Sequence, residues 1–320
     1  MSITRRSFLQ TTGMGIAALG SASTSQGADT QRKIKIGMCD WNLRDEQNRG
    51  GGSANPEFIK YAAKAGLDGI QVSVATSPDN VPLRDPKVIE QYKQLGEEHQ
   101  IEFSSVAAGS ILNSIPLASE PQSTVYVIDA LEAANRLGSS NILAAFFGNG
   151  DLRLKDARGN LRNISKDEQY SEYELDTLAV TRLVEVLRQL VPRARDQGVV
   201  IGLENTLTAK QNLEIIDRVG SPEWVKVYYD IGNSWSNGYN VPEEIRMLGN
   251  EMICEIHLKD NGKDVSVFTS KNSMVNWEEV KQALQEIKYD KWYVIEESGR
   301  ENRFFEDTKE SIEHVKPFLV

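Results

Sequence analysis

The sequence predicts a single (β/α)₈ barrel over residues 31–320, and three observations carry that prediction. Short apolar runs alternate eight times with longer, periodically apolar segments from Lys33 onward, which is the strand and helix repetition of a parallel barrel. The chain has 320 residues, a length that one such barrel fills. In the second half, four successive apolar runs end in an acidic or imidazole side chain: Glu204 in VVIGLEN, Asp230 in VKVYYDIGN, His257 in MICEIHLKD and Glu296 in KWYVIEES.

Strands are expected at KIGMC (35–39), GIQVS (69–73), IEFSSVA (101–107), NILAAFF (141–147), VVIGLE (199–204), KVYYD (226–230), ICEIHL (253–258) and WYVIE (292–296). Helices are expected at about 55–65, 86–98, 122–136, 169–195, 211–219, 241–249, 276–286 and 305–317. Asn55 is a natural cap for the first helix, with Pro56 at its first position, where a missing N–H costs nothing. Gly66 and Gly69 bracket the turn into the second strand. His99 falls at the helix end away from the strand C-termini and reads as a helix-end histidine. The segment GNGDLRLKDARGNLRNISKDE (148–168) breaks the alternation. It follows strand four on the face where the strands end, so it either covers a bound substrate or joins two barrel units. Arg153, Lys155 and Arg158 stay unassigned as anion binders.

Composition narrows the function. With 46 acidic against 36 basic residues the formal charge is −10, which disfavours a nucleic-acid-coating surface. The two cysteines, Cys39 and Cys254, cannot form a disulfide framework and are expected as buried thiols. No later run reaches the 18 apolar residues of a membrane span, so no stable membrane insertion is expected.

In a parallel barrel the strand C-termini converge on one face, so Glu204, Asp230, His257 and Glu296 would meet there. Three carboxylates and one imidazole suit one hard divalent cation, Mn²⁺, Mg²⁺ or Co²⁺, and the imidazole admits Zn²⁺. Strand alternation lets only one of Glu296 and Glu297 face inward, with Glu297 the reserve. Asp40 and Trp41 follow strand one, Asn205 follows Glu204, Asn233 lies beyond Asp230, and Lys259 and Asp260 follow His257. Of these, Trp41, Asn205, Asn233, Lys259 and Asp260 form a candidate substrate-binding ring. Trp41 would pack an apolar substrate face and the asparagines polar substrate groups. Lys259 would stabilise oxyanion charge or pair with Asp260, which would orient His257.

The LEN ending strand five, DIGN after strand six, HLKD at strand seven and the glutamate of the last strand together resemble the xylose-isomerase-like barrel superfamily. The likeness is to its sugar phosphate isomerase/epimerase group, which includes ketose 3-epimerases. The resemblance implies that Glu204, Asp230, His257 and Glu296 hold the metal, and that Glu204 and Glu296 also do acid/base work on opposite sides of a hydroxyketone through an enediolate. Asn233 departs from the histidine frequent there in ketose 3-epimerases. A metal-dependent isomerase or epimerase on a small carbohydrate is therefore expected. A lyase or dehydratase on a keto-sugar or 3-keto-glycoside, and a non-catalytic sugar-binding protein, are the alternatives. A metal-dependent nuclease is disfavoured by charge and by the presence of only three histidines.

Residues 1–30 form a separate segment. MSITRRSFLQ sets two arginines before Phe8 and Leu9, and a weakly apolar, small-residue stretch comes next. SITRRSFL resembles a twin-arginine signal, with cleavage near Ala22 or Ala28. The implied partner is the twin-arginine export machinery, the expected location the periplasm, and the substrate then an unphosphorylated one. The sequence allows a homo-oligomer without specifying one.

Overall fold

In the computed structural model of the chain, residues 35–164, 172–260, 273–297, 300 and 302–319 are described. The expected export segment, residues 1–30, lies outside the described residues, as do residues 165–168 of the segment after strand four.

Eight parallel strands close in sequence order: β1 Ile36–Cys39, β2 Gly69–Ser73, β3 Glu102–Ala107, β4 Asn141–Phe146, β5 Val200–Asn205, β6 Val225–Asp230, β7 Ile253–Leu258 and β8 Tyr293–Ile295, with β8 pairing back to β1. Each lies within two residues of its expected run. The enclosing helices are α1 Ile59–Ala65, α2 Pro86–His99, α3 Gly109–Ser114, α4 Thr124–Leu137, α5 Thr177–Gln197, α6 Ala209–Val219, α7 Ile231–Ser236, α8 Val241–Met252, α9 Trp277–Glu286 and α10 Phe304–Val315. The short α3 and α7 follow β3 and β6 directly and were not expected.

Alternation sorts each strand between two apolar clusters. In β4, Ile142, Ala144 and Phe146 join the large core beneath the helices. Leu143 and Ala145 join a separate, smaller cluster with Ala107, Tyr228 and Cys254, on the other face of the strand and so inside the barrel. Two register shifts adjust which side chains meet there, one between β2 and β3 around Gln71 and one between β6 and β7 around Cys254. Both cysteines are buried and free.

Local chemistry marks the boundaries. Asn55 accepts from Glu57 N, with Pro56 in the first turn, as its sequence implies. Asp176 caps α5 by accepting from Leu178 N and Ala179 N. This start, Thr177, corrects the expected 169: described residues just before it pair instead with residues 153–163. Bridges Arg153↔Leu175, Lys155↔Leu161 and Asn163↔Tyr173 make the segment after β4 an antiparallel hairpin that returns on itself. α5 ends at Gly198, whose φ of 68° is a left-handed conformation that a side chain would strain.

Candidate functional site

The strand register brings the four strand-end residues together. Asp230 pairs with His257 across β6 and β7, and Glu204 pairs with Ala145 across β5 and β4. Each of Glu204, Asp230, His257 and Glu296 offers one ligand atom, and these atoms lie within 4.8 Å of one another. His257 Nδ1 stands 2.8 Å from Glu204 Oε1, 3.6 Å from Glu296 Oε2 and 4.0 Å from Asp230 Oδ2. Lys259 Nζ donates to Glu296 Oε2 at 3.0 Å and lies 3.9 Å from Asp230 Oδ2. Glu296 rather than Glu297 enters the cluster. Glu297 Oε1 accepts from Asp260 N at 2.7 Å, outside it.

Charge crowding shifts these groups. Burial pushes the Asp230 carboxyl well up, and the neighbouring Glu296 and Glu204 carboxylates add to it. Burial likewise raises Glu204 against the opposing pull of His257. For Glu296, burial is outweighed by the charges of His257 and Lys259, and its carboxyl is held below the usual range. Burial alone would lower His257, yet Glu204, Glu296 and Asp230 carry it up to about 9. Three carboxylates, those of Glu204 and Asp230 buried and that of Glu296 half-buried, thus hold two cationic side chains.

The donor set fits a divalent cation. Asp230 Oδ2 is buried and receives no hydrogen bond from the described residues, an unmet acceptor of a kind that is rare inside proteins. Three carboxylates and one imidazole within a few ångströms are hard-cation chemistry. Glu204, Asp230, His257 and Glu296 are the residues that would hold it.

Above the cluster lies a cavity of about 370 Å³ lined by Glu204, Asn233, Lys259 and Glu296 on one side and by Ala107, Leu143, Ala145 and Phe147 on another. Trp41 lines it too, edge-on to His257 with ring centroids 6.2 Å apart. Ser73, Ser110 and Asn113 add hydroxyl and amide groups. Trp41, Asn233 and Lys259 of the expected ring all line this cavity. Asn233 N also donates to Asp230 Oδ1 at 2.7 Å, which fixes that carboxylate's rotamer.

Two expectations are corrected. Asn205 turns into the loop before α6, donating to Asn212 Oδ1 and accepting from Leu207 N, and does not line the cavity. Asp260 accepts from Trp277 Nε1 at 2.8 Å and Met274 N at 3.0 Å, anchoring the chain that enters α9. The neighbour of His257 Nε2 is instead Gln71, whose Oε1 lies 3.0 Å from it. Arg153, left unassigned by the sequence, is nearly buried and ion-paired with Asp151 at 2.8 Å, with its guanidinium over the Tyr173 ring. No described residue of the hairpin lines the cavity.

Sequence reasoning missed Gln71, and with it Glu255 and Tyr228. The available signal was a lone glutamine in GIQVS and a glutamate two residues before His257, hence on the same strand face. It also missed the β3 and β4 wall, where small apolar residues read simply as core.

Comparison with known proteins gives a consistent set of relatives. The profile described as xylose isomerase-like TIM barrel matches residues 59–318. A 2-epi-5-epi-valiolone 7-phosphate 2-epimerase from Actinoplanes sp. is 25% identical over 231 residues, covering 72% of this chain and 74% of that protein. Among solved structures, a D-tagatose 3-epimerase-like protein aligns with a TM-score of 0.64 and 22% identity over 89% of this chain and 97% of its own. The 3-keto-D-glucoside 4-epimerase of E. coli aligns with a TM-score of 0.67 and 16% identity over 89% of this chain and 100% of its own.

Proposed function

The chain belongs to the xylose isomerase-like TIM barrel family, and from that membership we propose that it is a divalent-metal-dependent epimerase or isomerase of a keto-sugar. The observation that carries this reading is the position of Glu204 and Glu296. Both line one cavity, they rise from strands three places apart around the barrel, and both lie in the four-residue cluster. The epimerases among its relatives support the reaction type.

A cation held by Glu204, Asp230, His257 and Glu296 would supply Lewis-acid polarisation of the substrate carbonyl. The chain's own residues do the rest. One glutamate takes the proton from the carbon beside the carbonyl, and the other returns a proton to the opposite face, inverting that centre. Return to a different carbon isomerises the sugar instead. Lys259, bonded to Glu296 Oε2, keeps that carboxylate ionised for proton abstraction and offers positive charge to the forming enediolate. Trp41 covers an apolar sugar face, Asn233 and Ser73 meet hydroxyls, and the Ala107, Leu143 and Phe147 wall excludes water.

Residues 1–30 in this reading direct twin-arginine export to the periplasm, and the substrate is an unphosphorylated ketose or 3-keto-glycoside. Replacing Arg5 and Arg6 together by Lys is expected to retain a fused reporter in the cytoplasm; unchanged export would remove the twin-arginine assignment.

The test is turnover of ketoses, phosphorylated ketoses and 3-keto-glycosides by enzyme reconstituted with Mn²⁺, Mg²⁺, Co²⁺ or Zn²⁺, followed by NMR and mass spectrometry. Conversion at unchanged mass, abolished by Glu204→Gln, is the expected result. Loss of water or of an aglycone would replace the epimerase with a lyase, and binding without turnover under every metal would indicate a sugar-binding protein.

A further inference from the structure

Beneath the cavity a chain of buried polar groups runs from His257 into the barrel interior. Gln71, Ser105, Tyr228, Glu255 and His257 are each at most 1% exposed. Ser105 Oγ and Tyr228 OH both donate to Glu255 Oε1, at 2.9 and 2.7 Å, and Asn141 Nδ2 donates to Oε2 at 2.9 Å. The Gln71 amide nitrogen in turn donates to Ser105 Oγ at 2.8 Å and to Tyr228 OH at 2.7 Å. Its oxygen accepts from Cys39 Sγ at 3.3 Å and lies 3.0 Å from His257 Nε2.

Donor counting orients every member. Each hydroxyl carries one proton, and with Glu255 ionised both hydroxyls give theirs to it, so toward Gln71 they can only accept. That fixes the amide's nitrogen end on Ser105 and Tyr228 and its oxygen end on His257. An amide oxygen carries no proton, so Nε2 of His257 must supply one. The nitrogen then left for a cation is Nδ1, which faces Glu204, Asp230 and Glu296. The Tyr228 ring, edge-on to His257 at 4.6 Å between centroids, holds the imidazole plane in the same sense.

We propose that Gln71 is a positioning residue that selects the Nε2–H form of His257 and aims Nδ1 at the cation site, with its own orientation dictated by Glu255 through Ser105 and Tyr228. The proposal rests on the metal-dependent reading above for its consequence and on hydrogen-bond direction for its content. Partners of this kind typically govern metal affinity by ten- to a hundredfold.

Two readouts test it. The first is ¹⁵N-histidine NMR of metal-free protein, tractable because the chain has three histidines, with His99→Gln and His314→Gln completing the assignment. Wild type is expected to show a hydrogen-bonded, exchange-protected proton on His257 Nε2, which in Gln71→Met loses that protection and shifts. The second is Mn²⁺ affinity by calorimetric titration. Gln71→Met is expected to weaken binding by about ten- to a hundredfold. Gln71→Glu, which restores an oxygen acceptor opposite Nε2 but not the amide donors to Ser105 and Tyr228, is expected to recover only part of that loss. Should Gln71→Met not fold, Tyr228→Phe keeps the ring and deletes only the hydroxyl, and a weakening of about threefold or more is expected. An unchanged His257 signal together with unchanged Mn²⁺ affinity in Gln71→Met, or in Tyr228→Phe where it must stand in, overturns the proposal. A wild-type protein that binds no divalent cation would defeat the functional reading instead, and the NMR comparison would still judge Gln71.

Discussion

Glu204 and Glu296 are assigned the proton transfers, and each can be tested with nearly unchanged shape. Glu204→Gln and Glu296→Gln are each expected to lower kcat by about 10²- to 10⁴-fold while circular dichroism stays that of wild type; retention of more than a tenth of the rate would remove that residue from the chemistry. Lys259→Met deletes the ammonium beside Glu296 Oε2 and is expected to lower kcat/KM by about 10²-fold, read by steady-state kinetics. The four cluster residues were legible in the sequence because each stands where an apolar strand ends, and that repetition does not depend on the loops beyond the strands. Asn205 and Asp260 were misread because a polar residue next to a ligand is equally suited to tie down a loop, and both do so. Gln71 left only one polar residue in an apolar strand as its signal, because its partners come from β1, β3, β6 and β7.

The close joining of strand ends explains local sequence choices. A Cβ on Gly232 would come within 2.7 Å of Lys259 O, so glycine in DIGN lets the turn after Asp230 pack against the end of β7. Gly232→Ala is expected to destabilise the protein by about 1–3 kcal/mol and to weaken cation binding, both readable from melting with and without metal. At α8, Glu244 joins two units by accepting from Ala209 N at 2.7 Å and from Tyr229 OH at 3.2 Å. Burial raises its pKa from 4.5 to about 7 against those two bonds. The folded state therefore holds a proton that the unfolded chain releases. The associated stability is full below about pH 4.5 and is lost as pH rises through about 7. Glu244→Gln, neutral at every pH, is expected to gain on wild type by up to about 3 kcal/mol between pH 5 and pH 8, measured by denaturant unfolding; a pH-independent difference would contradict this. The barrel strands were readable because strands buried on both faces are continuous apolar runs. The hairpin after β4 was not, since its bridges join short polar stretches that resemble any surface loop.

At the scale of the whole molecule, the cluster couples folding to the cation. Two buried carboxylates and one half-buried one are gathered around one imidazole, and a bound divalent ion would relieve their mutual repulsion only in the folded barrel. Mn²⁺ at about a hundred times its Kd is expected to stabilise the protein by roughly 2.7 kcal/mol, with EDTA reversing the shift in Tm; no shift with any of the four metals would argue against a cation site. No helix among the described residues is long and apolar enough to cross a membrane.

Proton exchange at one sugar carbon is the central claim, and solvent labelling reads it directly. Metal-reconstituted enzyme turning over a keto-sugar substrate in D₂O should give a product one mass unit heavier, with deuterium at the inverted carbon and none at that position in substrate recovered early. Product that forms without deuterium, or that has lost water or an aglycone, would contradict the account.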